Sequence, residues 1–246
     1  MSPQKSKSSP IDPEVLGFFS DREEPVKISR IEAQKRVKDR FSLFAGGRFL
    51  IGLSSETLLK SGLRRGDGIT VEQIRRLIEM EQKEQIRTYL LRLLSKRDHS
   101  RFELQQKAQK IFGFHSQESA WIGEIIEELS VKGYVNEESF ARKFILDKTK
   151  ISSWGPAKIR NALIQKQLRS SLVDSLLDEL ILEDHNLTSA QALLLKKKWY
   201  FDKTSDRIKK KHKMHSFLAQ RGFSFSVIEQ AISLIFNNQD VSKPDT

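Results

Sequence analysis

The chain has 246 residues, with 43 lysines and arginines against 32 acidic residues, for a formal charge of +11 at pH 7. It contains no cysteine, which excludes a disulfide framework, thiol catalysis and the thiolate ligands that structural zinc favours. Hydrophobic residues make up 38 %, enough for packed cores, no apolar run reaches the length of a membrane span, and the basic excess points to an acidic partner, most often nucleic acid.

Residues 1–25 open with MSPQKSKSSPIDPE, which lacks the apolar core of a signal peptide and is expected to be a disordered leader on a soluble, cytoplasmic protein. Residues 26–81 predict a small β-rich head. RFSLFAGGRFLIGL sets Phe41 and Leu43 at period two, turns at Gly46-Gly47 and resumes with Phe49, Ile51 and Leu53. That is a hairpin signal, because both central residues of the favoured turn need positive φ. VKISRIEAQKR before it supplies a third strand, Ser54 to Lys60 a short helix, and GLRRGDGI a glycine-broken loop. The loop lacks the Lys-Ser/Thr ending of a phosphate-binding P-loop and reads as a plain connection. Thr70 then opens a helix, with Gln73 placed for a capping box.

From residue 82 the sequence repeats at roughly 51 to 55 residues, predicting three-helix units over 82–134, 135–185 and 186–237 and a disordered tail over 238–246. Trp121, Ile122, Ile125, Ile126 and Leu129 form an i, i+1, i+4, i+5, i+8 stripe. Leu172, Val173, Leu176, Leu177 and Leu180 repeat it, as do Val227, Ile228, Ala231, Ile232 and Ile235. A second stripe lies 32 residues earlier: Tyr89, Leu90, Leu93 and Leu94, then Phe140, Ala141, Phe144 and Ile145, then Leu195, Trp199 and Tyr200, with Lys196 breaking the third set. Between them a third helix carries Leu104 and Ala108, Ile159 and Leu163, or Met214 and Leu218. Ser100 with Glu103, Ser171 with Asp174, and Ser226 with Glu229 have capping-box spacing. Gly113, Gly133 and Gly222 fall where helices end in a left-handed residue, and Pro156 suits a first helical turn. The fold class expected is mainly α: tandem three-helix repeats in three copies, in an elongated, curved body with a small β-hairpin-containing head.

Glu137 and Glu138 follow Asn136 in the first turn of a helix, where the dipole favours negative charge, and no histidine stands near enough to make them a metal or acid–base pair. His212 and His215 share a helix face but sit among lysines without a carboxylate, so no metal is expected there. Trp121, Trp154 and Trp199 are expected to pack in or beside the stripes, with base stacking as the functional alternative. No catalytic motif occurs. The strongest charge asymmetry runs from Lys196 to Arg221, ten basic residues against Asp202 and Asp206. Lys196, Lys197, Lys198, Lys209, Lys210, Lys211 and Lys213 are expected on exposed helix faces, as a patch that neutralises phosphates or meets an acidic protein surface, or else as a solvated basic face. Arg142, Lys158 and Arg160 form a smaller candidate set on the second repeat.

RDHSRFEL (97–104), KGYVNEESFARKF (132–144) and WGPAKIRNAL (154–163) resemble, in order and spacing, the core motifs of the RecX regulators of bacterial RecA recombinase, and the head is similar to the N-terminal extension of some members. The resemblance covers about residues 27–236. Glu137 stands where the family usually has Asp, Gln167 where it usually has a helix-ending Gly, and KIFGFHSQESAW is a few residues longer than its counterpart. The resemblance implies a regulator without catalytic residues, cofactor or metal, which binds the RecA filament on DNA and restrains its recombinase, strand-exchange and ATPase activities. Its implied partners are that filament and, non-specifically, DNA. The apolar pattern sets the further expectations of no membrane contact and a monomeric state. The alternative is a nucleic-acid-binding helix-turn-helix module, for which KIRNALIQKQ is the candidate recognition helix.

Overall fold

The computed structural model describes residues 17–19, 24–113 and 115–240. Most of the expected leader (1–16 and 20–23), the tail beyond Asp240, and Phe114 of the long first-repeat loop lie outside the described residues. Packing divides the chain into two compact units: residues up to Ser95 with Lys107–Glu128, and Lys96–Gln106 with everything from Leu129 onward.

In the first unit, β1 (Val26–Ala33), β2 (Arg40–Ala45), β3 (Arg48–Ser54) and β4 (Gly68–Ile69) form an antiparallel sheet in the order β3-β2-β1-β4. The β2–β3 turn is the Gly46-Gly47 pair, at φ 54° and 79°, so the hairpin is as expected. Its side-chain alternation is not. A bulge between Leu43 and Phe44 shifts the register, so β3 buries Leu50 and Leu53. Phe49 points outward, its ring 5.8 Å from that of Phe44. The loop after α1 (Ser55–Ser61) ends in β4, which pairs with Val26 and Lys27 where only a connection was expected. The leader is not wholly irregular either: Gly17 to Phe19 are helical, and Phe19 joins Ile28, Leu43, Leu53 and Ile74 in the head's core.

The long helix α2 (Val71–Leu94) begins in a complete Thr70–Gln73 capping box and crosses the expected boundary at 81/82 without a break. Glu81 explains the continuity. Only 3 % exposed, it accepts the Ser54 amide at 2.8 Å and the Gln85 side chain at 3.1 Å, and meets Arg40 at 3.2 Å. A buried charge with three partners ties the sheet to the middle of α2, so a helix end there would leave it unsatisfied.

The predicted triplets are present: α2 with α3 (Arg101–Phe112) and α4 (Ser116–Val131), then α5 (Glu137–Lys150), α6 (Pro156–Gln165) and α7 (Ser170–Leu180), then α8 (Glu183–Lys196), α10 (Arg207–Gln220) and α11 (Phe225–Asp240). The last runs three residues past the expected limit at 237. One turn, α9 (Lys198–Phe201), interrupts the third triplet. The middle-helix pairs Leu104/Ala108, Ile159/Leu163 and Met214/Leu218 are all buried. So are Trp121, Ile122, Val173, Leu176, Ile228 and Ile232 of the closing helices.

The third repeat departs from the stripe at its first helix. Lys197, at φ −105° and ψ 13°, ends α8, so Leu195 faces solvent and the buried set becomes Ala190, Leu193, Leu194 and Phe201. Within α9, successive side chains are about 100° apart, so with Phe201 inside, Trp199 points to the far side and Tyr200 flanks it. Trp199 is therefore not a core residue, whereas Trp121 is, and Trp154 is half-buried.

Helix ends follow the expected chemistry at some positions and not at others. Asn136 caps α5 by accepting the Ser139 amide at 2.9 Å, with Glu137 and Glu138 in the first turn, and Pro156 opens α6. Gly133, Gln167 and Gly222 are left-handed (φ 77°, 61°, 88°), and each is followed by an amide reaching five residues back, the Schellman pattern. Gly113 has no positive φ, because its amide continues the helix to Gln109 at 2.9 Å. Only one half of the Ser100 box forms: its hydroxyl accepts the Glu103 amide while the Glu103 carboxylate turns to Arg97 and Lys166. At the other two sites α7 is capped at Arg169 and the Val227 amide turns to Ser224, freeing Asp174 and Glu229 for ion pairs.

In the second unit the second and third repeats meet backbone to backbone. The Gly155 amide donates to the Arg221 carbonyl at 2.7 Å and the Ala157 amide to the Gly222 carbonyl at 3.1 Å. A β-carbon on Gly155 would collide with the Gly222 carbonyl, and one on Gly222 with the Lys158 amide.

Candidate nucleic-acid interface on the third repeat

The lysines of the third repeat fall into two groups. Lys196, Lys197 and Lys198, at the break between α8 and α9, are exposed and carry no ion pair among the described residues. Lys209 is exposed too, its ammonium 3.9 Å from Asp206. The others are engaged. Lys210 is not on an open face as expected: its side chain is 12 % exposed, held 2.6 Å from Asp202 and 5.8 Å from the Phe236 ring. Lys211 meets Glu229 at 2.8 Å, and Lys213 donates to Thr204 at 2.8 Å.

The second-repeat candidates are also occupied. Arg142 forks onto Glu179 at 2.6 and 2.8 Å and reaches Glu138 at 3.0 Å, and first Glu179, then Glu138, raise its pKa. Arg160 donates to both oxygens of Asp174, at 2.6 and 3.1 Å, which raises the guanidinium and lowers the carboxyl. Lys158 reaches the Gln220 carbonyl at 3.2 Å and lies 4.8 Å over the Trp154 ring. Lys196, Lys197 and Lys198 thus stand as consecutive exposed cations, whereas Arg142, Lys158 and Arg160 are partly exposed and held by partners within the second unit.

Trp199 and Tyr200 lie outside the core stripe expected of them, and Lys203 was not among the candidates. Trp199 is 61 % exposed and Tyr200 46 %, their rings 6.2 Å apart and nearly perpendicular, and the Lys203 ammonium lies 5.1 Å over Trp199. The signal was the run Trp199-Tyr200-Phe201 itself: one helical turn turns only one of three adjacent rings inward. Beside Tyr200 a cleft of about 280 Å³ is lined by His212, Lys213, Ser216, Phe217 and Gln220. His215 packs instead on the Phe225 ring at 5.6 Å, away from that cleft's lining.

Three-helix units in tandem, a four-stranded head and a basic terminal unit define a helical-repeat protein with three exposed lysines at the helix break of its third repeat. Family comparison agrees in place and order. The model of the Regulatory protein RecX N-terminal domain matches residues 26–70, that of the RecX second three-helix domain residues 136–177, and that of the third three-helix domain residues 190–232. The Regulatory protein RecX of Staphylococcus carnosus is 30 % identical over 213 residues, 84 % of this chain and 74 % of that one. That of Clostridium perfringens (strain SM101) is 27 % identical over 213 residues, covering 87 % and 98 %. The chain belongs to the RecX family. Its fold is also that of a regulatory protein RecX crystal structure, at a TM-score of 0.68 and 24 % identity over 83 % of this chain and 97 % of the other. RecX from Lactobacillus salivarius gives a TM-score of 0.54 at 21 % identity, over 62 % and 95 %. No helix among the described residues is long and apolar enough to cross a membrane.

Proposed function

We propose that the protein is a non-catalytic regulator that binds the RecA recombinase filament on DNA and lowers its strand-exchange and ATPase activities during DNA repair, acting as a cytoplasmic monomer. The observation that carries this reading is membership in a family whose members are named regulatory proteins. The open lysines support it. A recombinase filament on DNA presents phosphates, and cations without an internal partner reach them without breaking a pair. Lys196, Lys197, Lys198 and Lys209 are therefore the leading contacts, followed by Lys213. Lys210, Lys211, Arg142, Lys158 and Arg160 serve packing first.

The geometry of α6 favours this over sequence-specific reading by a helix-turn-helix. Ile159 and Leu163 point into the core and Arg160, the arginine of the candidate recognition helix, is held by Asp174. The test is RecA ATPase on single-stranded DNA with increasing amounts of this protein. A dose-dependent fall is expected, and unchanged turnover at saturating protein overturns the reading.

A further inference from the structure

We infer that Trp199 and Tyr200 form a stacking platform for unpaired bases of a single nucleic-acid strand, with Lys197, Lys198, Lys203 and Lys213 placed to hold its phosphates. The inference deepens the proposed function in that it places nucleic acid on the third repeat, and it requires no effect on a recombinase.

Folding gives no reason for these rings to be outside. Phe201 alone anchors α9, fully buried against Phe217 at 5.7 Å, while Trp199 and Tyr200 keep most or nearly half of their surface in water. Their planes stand at 77° in an edge-to-face pair, so the two rings are not stacked on each other. The apolar patch is small and bordered by ammonium groups, with Lys197 and Lys198 adjacent in the chain and Lys203 over the indole. An ordinary apolar protein partner would have to desolvate those charges. A nucleotide satisfies both halves, base on ring and phosphate on ammonium, which is how sequence-tolerant single-strand sites are built.

The cleft beside Tyr200 extends the platform. Ser216, Gln220 and His212 offer a hydroxyl, an amide and an imidazole to a base edge, and Lys213 an ammonium to the next phosphate. A duplex keeps its bases stacked inside, so only its phosphates would be felt.

Binding of the full chain to one labelled oligonucleotide, presented as a single strand, as a duplex and as an abasic strand of equal length, tests this. The W199A/Y200A variant should bind the single strand about fivefold to a hundredfold more weakly, the range that loss of base stacking brings. Its affinity for the duplex and the abasic strand should not change. The single-strand salt slope should also persist, because no phosphate contact is removed. W199F/Y200F should restore most of the single-strand affinity. Equal loss on all three ligands, no loss on any, no single-strand binding by the unchanged protein, or unfolding of the alanine variant would each overturn the inference. RecA ATPase measured alongside separates the two readings. Regulation that persists when the oligonucleotides are indifferent to W199A/Y200A sinks the platform alone, and a stacking effect without any change in ATPase sinks the regulator alone.

Discussion

Gln167 ends α6 at φ 61°, the place that glycine takes at Gly222 in the third repeat. A β-carbon in that conformation is strained by roughly 1 kcal/mol, so Gln167→Gly should raise stability by about 0.5–1 kcal/mol, measured by thermal melting. Neighbouring aromatics should respond in opposite ways. Phe201→Ala removes a fully buried ring and should cost about 3–5 kcal/mol, whereas Trp199→Ala should stay within about 0.5 kcal/mol. Glu137→Gln should cost less than about 1 kcal/mol in the same assay, because Asn136 still caps the helix. At this scale the sequence was legible where chemistry is local. Asn136, Pro156, and Thr70 with Gln73 stand as their neighbours predict, and Gln167 as the family resemblance implies. The direction of Trp199 was not legible: Lys196 breaks the apolar set there, but the pattern does not show that the helix itself ends at Lys197.

Elements are joined by groups distant in sequence. Glu103 of α3 meets Lys166, and Asp98 before it meets Lys143 at 2.8 Å and Ser139 at 2.9 Å. Burial opposes the charged form of Glu103, but Lys166 and then Arg97 outweigh it, so the carboxyl sits below its usual range. Asp98 is lowered too, first by the hydrogen bond from Lys143. Both folded values lie below the unfolded ones, so their stabilisation is complete above roughly pH 5 and disappears as pH falls through about 4 and below. Melting temperature against pH should show that decline, and Lys166→Met should shrink it. The caps expected at Ser171 and Ser226 failed for a related reason: Asp174 and Glu229 have cationic partners on other helices, and spacing along one helix does not reveal them. The hairpin was legible through Gly46-Gly47, but the bulge opposite Leu43 was not, since nothing local marks it.

For the whole molecule the net charge of +11 matters less than which cations remain open. Changing Lys196, Lys197, Lys198 and Lys209 together to Gln should leave melting nearly unchanged, because none supports a close ion pair. It should weaken single-strand binding and make the slope of log affinity against log salt shallower by up to roughly 3, from about 0.7 per lost phosphate contact. The same change at Lys210 and Lys211 should instead lower the melting temperature, since it removes partners from Asp202 and Glu229. The helical repeat was legible because a period of 3.6 within each helix and of some fifty residues between helices survives every local exception. The open lysines were not, because Lys209 and Lys210 look alike until the fold brings Asp202 to only one of them.

The crossing at Gly155 and Gly222 bears on how the chain can be cut. The amides of Gly155 and Ala157 begin α6, where a helix leaves its donors without partners of its own, and their acceptors belong to the third repeat. A fragment ending near residue 182 would therefore expose two donors and the narrow glycine seat made for them. Hydrogen exchange should read this directly, with both amides protected in the full chain and exchanging fast in the fragment. The second repeat is thus not a portable module: what appears from its helices to be a complete triplet borrows its first turn's hydrogen-bond acceptors from the triplet that follows.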